Sequence, residues 1–356
     1  MTTRRLEDSK TLIGIYLTTL ARCAPEILVR DRVTPAMPRN VVAIGKSAGA
    51  LLDGVASVID IDSAFVAIPE GYRLPRTRAE VHVGGHPRMT KESFTAGRAL
   101  LEYVDGHDDI LFLVSGGGSA CVEVPLAPHG EDDVARANAE LIASGKAIGA
   151  INAERRKLSA IKGGKLAQRV RGRAVTLVYS DVSTGRLADV ASGPTLPGSE
   201  AILVADNTTL VRAAAQLIGD GAVVIEEQIE GDVEDAAREL AERARALRSG
   251  EILVAGGEPT VVVRGAGRGG RCSELAVRFA VHSVQEAVFA ASDGVDGNSG
   301  AAGIHVRRRL AAGGPAGWQP ALRESDSLRI AAQLGEPIMI TPTGNNLRDL
   351  FLVAAP

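Results

Sequence analysis

The chain is predicted to be an α/β protein of two domains with mostly parallel sheets. Three observations predict it. Short Val- and Ile-rich runs recur along the sequence: Val41–Ile44, Phe65–Ile68, Ile110–Val114, Ala174–Tyr179, Ala222–Ile225, Ile252–Ala255, Thr260–Val263, Val288–Ala291 and Ile338–Ile340. Between most of them lie segments with helical apolar spacing, and continuous runs separated by helices are how strands buried on both faces read. The third observation is size: 356 residues, 45% apolar and 23% charged, can bury two cores.

Thr11–Ala21 reads as a first helix, with Leu12, Ile13, Tyr16 and Leu20 on one face. Glu7 and Asp8 precede it, Thr18 and Thr19 interrupt it and no small-x-small cleavage site follows, so it is read as a helix rather than a signal-peptide core. No run reaches the length that spans a bilayer. Val41–Ile44 runs into Gly45-Lys46-Ser47, which lacks the earlier glycine of a Walker motif but opens a helix over Ser47–Val58. A lysine at the tip of a buried strand is placed to face a phosphate. Ile110–Val114 leads into Ser115, Gly116, Gly117, Gly118 and Ser119, a turn whose amides and hydroxyls can nest an anion. Neither serine has the glycine spacing of a nucleophile elbow, so serine hydrolysis is poorly supported.

Residues 152–166 pack five cations into eleven positions, and on a helix Arg155, Ser159 and Lys162 share a face while Leu158 and Ile161 point inward. Asp181 follows the strand Ala174–Tyr179. The helix Asp232–Arg248 separates a longer first part from a compact second one, so the domains are 1–245 and 246–356, the last segment free to pack back on the first domain.

In the second part, Gly256-Gly257-Glu258-Pro259 and Gly265-Ala266-Gly267-Arg268-Gly269-Gly270-Arg271 place a carboxylate and two guanidiniums on glycine-rich backbone before a helix starting near Ser273. Gly267, Gly269 and Gly270 would let amides approach an anion at a helix N-terminus. The same segment matches GxGxxG, with Asp293 at the ribose-binding distance, so a nicotinamide-dependent reductase is the rival reading. Two arginines suit phosphoryl transfer better than a dinucleotide pyrophosphate. Asp293 and Asp296 end another strand, and carboxylates there beside phosphate loops suit a magnesium nucleotide. Thr341–Asn346 offers hydroxyls and amides, including those of Asn345, at a further strand end.

A formal net charge of -3 and 3% aromatic residues give neither the electrostatic pull nor the stacking platforms that nucleic acid needs. Three scattered cysteines, Cys23, Cys121 and Cys272, suggest neither disulfides nor zinc and fit a reducing cytoplasm.

The ordered set GKSAG (45–49), SGGGSA (115–120), ERRKLSAIKGGKLA (154–167), SDV (180–182) with ASGPT (191–195), GGEPTVVV (256–263), GRGGRCSELA (267–276), SDGVDGNSGAAG (292–303) and TPTGNN (341–346) resembles the type II glycerate kinases, the glycerate 2-kinase family with a C-terminal MOFRL domain. The match runs from about residue 40 to the end. The resemblance implies transfer of the γ-phosphoryl group of ATP, with Mg2+, to the 2-hydroxyl of D-glycerate or a close hydroxy acid. It implies Rossmann-like sheets and a site in an interdomain cleft, and it leaves a homodimer open. By position it makes Lys46 and Arg271 the main catalytic cations. Asp181, Glu258, Asp293, Asp296 and Asn345 line the site, and Asp181, Asp293 and Asp296 are the expected metal ligands. The chain departs from the family pattern at Ser183–Asp189, where an acidic pair is replaced around Arg186, and at His86-Pro87-Arg88-Met89-Thr90.

Overall fold

The computed structural model describes residues 11–146, 148–182, 185–307 and 315–355. Helix α1 (Leu12–Arg22) opens them, capped by Thr11, whose side chain accepts from the Gly14 amide. Next come α2 (Pro25–Leu28), β1 (Asn40–Ile44), α3 (Ala48–Ala56), β2 (Ser63–Pro69), β3 (Glu80–Gly84), α4 (Lys91–Asp105), β4 (Ile110–Ser115), α5 (Gly118–Cys121), α6 (Glu131–Ala143), α7 (Ile148–Leu158), β5 (Ala174–Tyr179) and β6 (Glu200–Ala205). The remainder is α8 (Asn207–Ile218), β7 (Ala222–Val224), α9 (Val233–Arg245), β8 (Ile252–Gly257), α10 (Arg271–His282), β9 (Ala287–Ala291), β10 (Gly303–Val306), α11 (Trp318–Arg323), α12 (Ser327–Leu334), β11 (Gly335–Pro337) and β12 (Asp349–Ala354).

Residues 24–206 form one compact unit. Its sheet, among the described residues, has the order β3-β2-β1-β4-β5-β6, with every pairing parallel. This is the doubly wound order in which ligands sit beyond the carboxyl ends of the two strands where the winding reverses, here β1 and β4. Val42, Ile44, Phe65, Phe112 and Val114 are buried together, which is why these runs read as continuous rather than alternating.

Residues 11–23 and 207–355 form the other unit. The expected boundary at residue 245 therefore lies instead at residue 206. The cause is pairing: β7 runs parallel beside β8, and α9 buries Val233, Ala236, Ala237, Leu240, Ala241 and Ala244 in the core that holds Leu275 and Phe279 of α10. Tyr16 of α1 donates to the Ala291 carbonyl at 2.7 Å, tying the first helix to β9. The second sheet, β11-β10-β9-β12-β8-β7, is mixed, not mostly parallel. Strand β12 enters between β8 and β9 antiparallel to both, and β10 returns antiparallel along β9. The last segment is thus a central strand of this unit.

Two expected strands are absent. Thr260 makes one bridge to Asp232, and beyond it Val262 and Val263 project into solvent with no neighbouring strand. Residues 338–340 form no strand of their own; Ile338 alone continues the pairing of β11, its amide donating to the Gly303 carbonyl and its carbonyl accepting from the Ala302 amide, both at 2.9 Å. The helix expected over 152–166 stops at Leu158, where Ser159 bridges antiparallel to Pro125 and the Leu126 and Ala160 amides donate to the Leu158 and Val124 carbonyls, and beyond it Gly163 and Gly164 take left-handed φ values of 68° and 83°. A Cβ on Gly164 would lie 1.9 Å from the Pro197 carbonyl oxygen, so only glycine fits that turn.

Candidate functional site

In the unit of residues 24–206, the ends of β1 and β4 are bonded to each other. The Lys46 amide donates to the Gly116 carbonyl at 2.8 Å, and the Ser47 amide donates to Ser115 Oγ at 3.0 Å. Ser115 Oγ in turn donates to the Ile44 carbonyl at 3.2 Å and is wholly buried. Its hydroxyl is consumed as a staple between strand tips, so of the expected anion turn Ser115 contributes structure rather than a ligand contact. Gly117 has φ 83°, and a Cβ there would sit 2.9 Å from Lys46 Cγ and 3.5 Å from His86 Cδ2. The bare glycine lets both side chains stand over the turn. Gly118 is equally crowded, with Ala191 Cβ and Ile44 Cγ2 each 2.8 Å from its missing Cβ.

Three basic side chains gather here. Lys46 is half-buried, its Nζ 5.7 Å from the centre of the Tyr72 ring. Arg155 projects from α7, its Nε donating to Asn138 Oδ1 at 2.8 Å; burial lowers its pKa and Glu123 pulls it back up. His86, which the sequence reading did not select, keeps an exposed edge. Desolvation by the protein packed about it, and then the charges of Lys46 and Arg155, push its imidazole down to about 4. Exposure weakens the first cause, so the two cations are the firmer one. Between the ordinary 6.5 and about 4 the folded chain binds fewer protons than the unfolded chain, and stability falls as pH drops through that window. His86→Asn should flatten this acid limb in thermal unfolding; an unchanged slope would separate the imidazole from the cations.

Ser119 sits in a chain whose proton direction is fixed. Asn152 Nδ2 donates to the Asp189 carbonyl, so its Oδ1 accepts, at 2.8 Å, from Ser192 Oγ. Ser192 has then spent its only proton, and the 2.7 Å contact makes Ser119 the donor to Ser192. Ser119 therefore shows a ligand lone pairs, not an O–H. Lys162 does not join the site. It is 1% exposed, paired with the equally buried Glu123, which also accepts from Ser159. Arg155 and Lys162 share no face because the chain between them is no longer helical. Asp181 is half-buried just past β5. Of the altered Ser183–Asp189 segment, Ser183 and Thr184 lie outside the described residues, while Asp189 is held by Arg186 at 2.9 Å and Arg156 at 3.1 Å.

In the other unit, the glycine-rich segment is packed rather than open. The Gly267 amide donates to the Glu324 carbonyl at 2.9 Å, Gly269 to Asn298 Oδ1 at 2.7 Å and Gly270 to Ser273 Oγ at 2.8 Å. Cβ atoms on the three glycines would meet Glu324, Asp326, Ser327 and Asp296 at 2.0 to 2.6 Å. The glycines serve close packing, and their amides are not available to a phosphate or pyrophosphate, which also removes the physical basis of the dinucleotide reading. Arg268 turns to the Ser299 carbonyl at 2.7 Å.

Arg271 opens α10 and is clamped. Its Nε and Nη2 donate to the two oxygens of Asp349 at 2.6 and 2.9 Å, and its Nη1 lies 2.6 Å from Glu258 Oε1. Glu258 bridges to Arg348 at 3.1 Å. Asp296 accepts from the Cys272 and Ser273 amides, both at 2.9 Å, and so caps α10. Burial raises its pKa and those hydrogen bonds pull it down. Turned onto those amides and 2% exposed, Asp296 serves as this cap rather than as a displayed metal ligand. Asp293 accepts from the Val295 amide at 3.0 Å and is half-buried. Among the described residues no three acidic, His or Cys side chains group to hold a metal. Asn345 is buried, its Nδ2 donating to the Leu20 carbonyl at 3.1 Å, so this amide anchors α1.

Residues 11–218 match the family described as a domain of unknown function, DUF4147, and residues 251–349 match the MOFRL family. A D-glycerate 2-kinase of Thermotoga maritima is 30% identical over 373 residues, covering 88% of this chain and 89% of that protein. An Agrobacterium vitis protein provisionally named hydroxypyruvate reductase is 30% identical over 417 residues, 98% of this chain and 95% of its own. The crystal structure of a glycerate kinase from Thermotoga maritima superposes with a TM-score of 0.84 at 27% identity, over 98% of this chain and 99% of that one. Among the described residues no single helix is long and apolar enough to cross a membrane. By these matches the chain belongs to the glycerate 2-kinase family, a DUF4147 domain followed by a MOFRL domain.

Proposed function

We propose that the chain transfers the γ-phosphoryl group of ATP to the 2-hydroxyl of D-glycerate, giving 2-phosphoglycerate and ADP. The observation that carries this reading is the strand-tip cluster: Lys46 and Arg155 beside a left-handed glycine turn, at the point where the winding of the parallel sheet reverses. Two cations over a bare backbone turn suit an anionic substrate, and phosphoryl transfer asks little more of a protein than positioning and charge neutralisation. The acceptor oxygen attacks phosphorus, the bond to the bridging oxygen of ADP breaks and leaves its electron pair on ADP, and the hydroxyl proton is released to solvent.

In this reading Lys46 neutralises charge on the moving group, with Arg155 and the turn at Gly116–Gly118 receiving a phosphate or the acceptor carboxylate. Ser119, with its proton turned inward, accepts from the substrate hydroxyl. Arg271 is the second transition-state cation, and Asp181 and Asp293 are the residues that would hold Mg2+, which would supply neutralisation of phosphate charge. Three buried free cysteines are in keeping with a cytoplasmic enzyme. The test pairs two assays. ADP release with D-glycerate, with the product assigned as the 2- or 3-phosphate, should be positive, and oxidation of reduced nicotinamide cofactor with hydroxypyruvate should be absent. The reverse result would overturn the kinase reading and restore the reductase.

A further inference from the structure

Asp349 is fully buried at the first residue of β12, with a relative exposure of 0%, while its partner Arg271 keeps 29% of its side chain exposed. The carboxylate lies beneath and the guanidinium reaches outward. Arg271 is the first residue of α10, the end of a helix where positive charge is disfavoured by the backbone dipole. Helix formation therefore gains nothing from a cation there. Yet two carboxylates hold it, Asp349 by a two-pronged pair and Glu258 at Nη1, and Glu258 is itself braced by Arg348, 8% exposed, which grips Glu258 at 3.1 Å, Glu230 at 2.7 Å and also Gln228. Arg348 adopts a left-handed φ of 66°, unusual outside glycine, immediately before Asp349. Asp349 takes Nε and one N–H of Nη2 as hydrogen bonds, while Glu258 is held to Nη1 as an ion pair, so each terminal nitrogen keeps an N–H in a fixed plane.

We infer that Asp349 is a positioning residue: with Glu258 it forms a guanidinium receptor that holds Arg271 in the orientation in which its two remaining N–H groups meet the transferred phosphoryl group. Glu258, expected from sequence to contact ligand, acts instead through Arg271. The inference rests on the reading of Arg271 as a transition-state cation.

Chemical rescue tests it. Arg271→Ala should lose about 10³-fold in kcat, and millimolar guanidinium should restore about tenfold or more, the worth of one charge-assisted hydrogen bond. Arg271→Ala/Asp349→Asn should not be rescued, since the receptor has lost its deepest carboxylate. Asp349→Asn alone should lower kcat while KM for ATP changes little. If that variant fails to fold, by circular dichroism and melting temperature, Asp349→Glu keeps the charge, displaces it by one methylene, and should still weaken rescue. Equal rescue with Asp349 intact or replaced would overturn the inference, as would no rescue of Arg271→Ala at any guanidinium concentration that leaves the fold intact. Wild-type kcat in Arg271→Ala would instead overturn the reading of Arg271, a distinguishable result.

Discussion

Lys46→Met should lower kcat about 10²–10³-fold, the loss seen when one preorganised charge-stabilising donor is removed from a site. Methionine keeps the length of the stem and removes only the ammonium. The Lys46 amide still donates to Gly116 at 2.8 Å, and Gly117 still accommodates the side chain, so the junction of β1 and β4 is preserved. Losing the contact of Nζ with the Tyr72 ring costs about 0.5–1 kcal/mol. The variant should therefore melt close to the parent and bind nucleotide, yet turn over slowly. Single-turnover and steady-state kinetics beside thermal unfolding check this; near-parental kcat would remove Lys46 from the chemistry, and a collapsed melting temperature would make it a structural lysine.

The same residue shows what was legible in the sequence. Val41–Ile44, Ile110–Val114 and Ala174–Tyr179 lie at the centre of a parallel sheet, buried on both faces, and their continuous apolar runs announce them. Ligands of such sheets collect at strand tips, so Lys46 and Gly116–Gly118 followed from position alone. Strand β3, one edge of that sheet, is broken by Glu80 and His82 and carries no such run, whereas β6, the other edge, carries the run Ala201–Ala205 and was not among the expected strands. Leu350–Val353 is as apolar as any strand, but its antiparallel entry between β8 and β9 is a long-range event that local pattern does not encode.

Glycine-rich segments were harder, because two different needs select the same residue. At Gly117 the missing Cβ makes room for Lys46 and His86, whereas at Gly267, Gly269 and Gly270 it makes room for Glu324, Asp326, Ser327 and Asp296. Nothing in the order of residues separates packing against the chain from packing against a ligand. Charged residues divide in the same way. Asp296 reads as a metal ligand until its oxygens are found on the α10 amides, and His86 shows itself only through its neighbours in space.

Lys162 makes the point quantitatively, and its replacement should have the largest effect on the fold. Its ammonium is paired with Glu123, both side chains are 1% exposed, and Glu123 further accepts from Ser159 and from the Val124 amide. Ser159 Oγ accepts from the Ile161 and Lys162 amides, so the pair fixes the turn that follows α7. Lys162→Met leaves a buried carboxylate without its counter-ion, which costs about 3–5 kcal/mol, and at about 2–4 °C per kcal/mol for a domain of this size the melting temperature should fall by roughly 6–20 °C. Replacing both partners, as Glu123→Leu/Lys162→Met, removes both desolvation costs and should recover much of that loss, because buried ion pairs are often no better than apolar residues of similar volume. A double-mutant cycle in thermal and denaturant unfolding reads the coupling directly. Below its lowered melting temperature Lys162→Met should keep its KM for ATP and for glycerate, as a residue outside the site would. A variant that melts like the parent but binds substrate poorly would instead return Lys162 to the anion site.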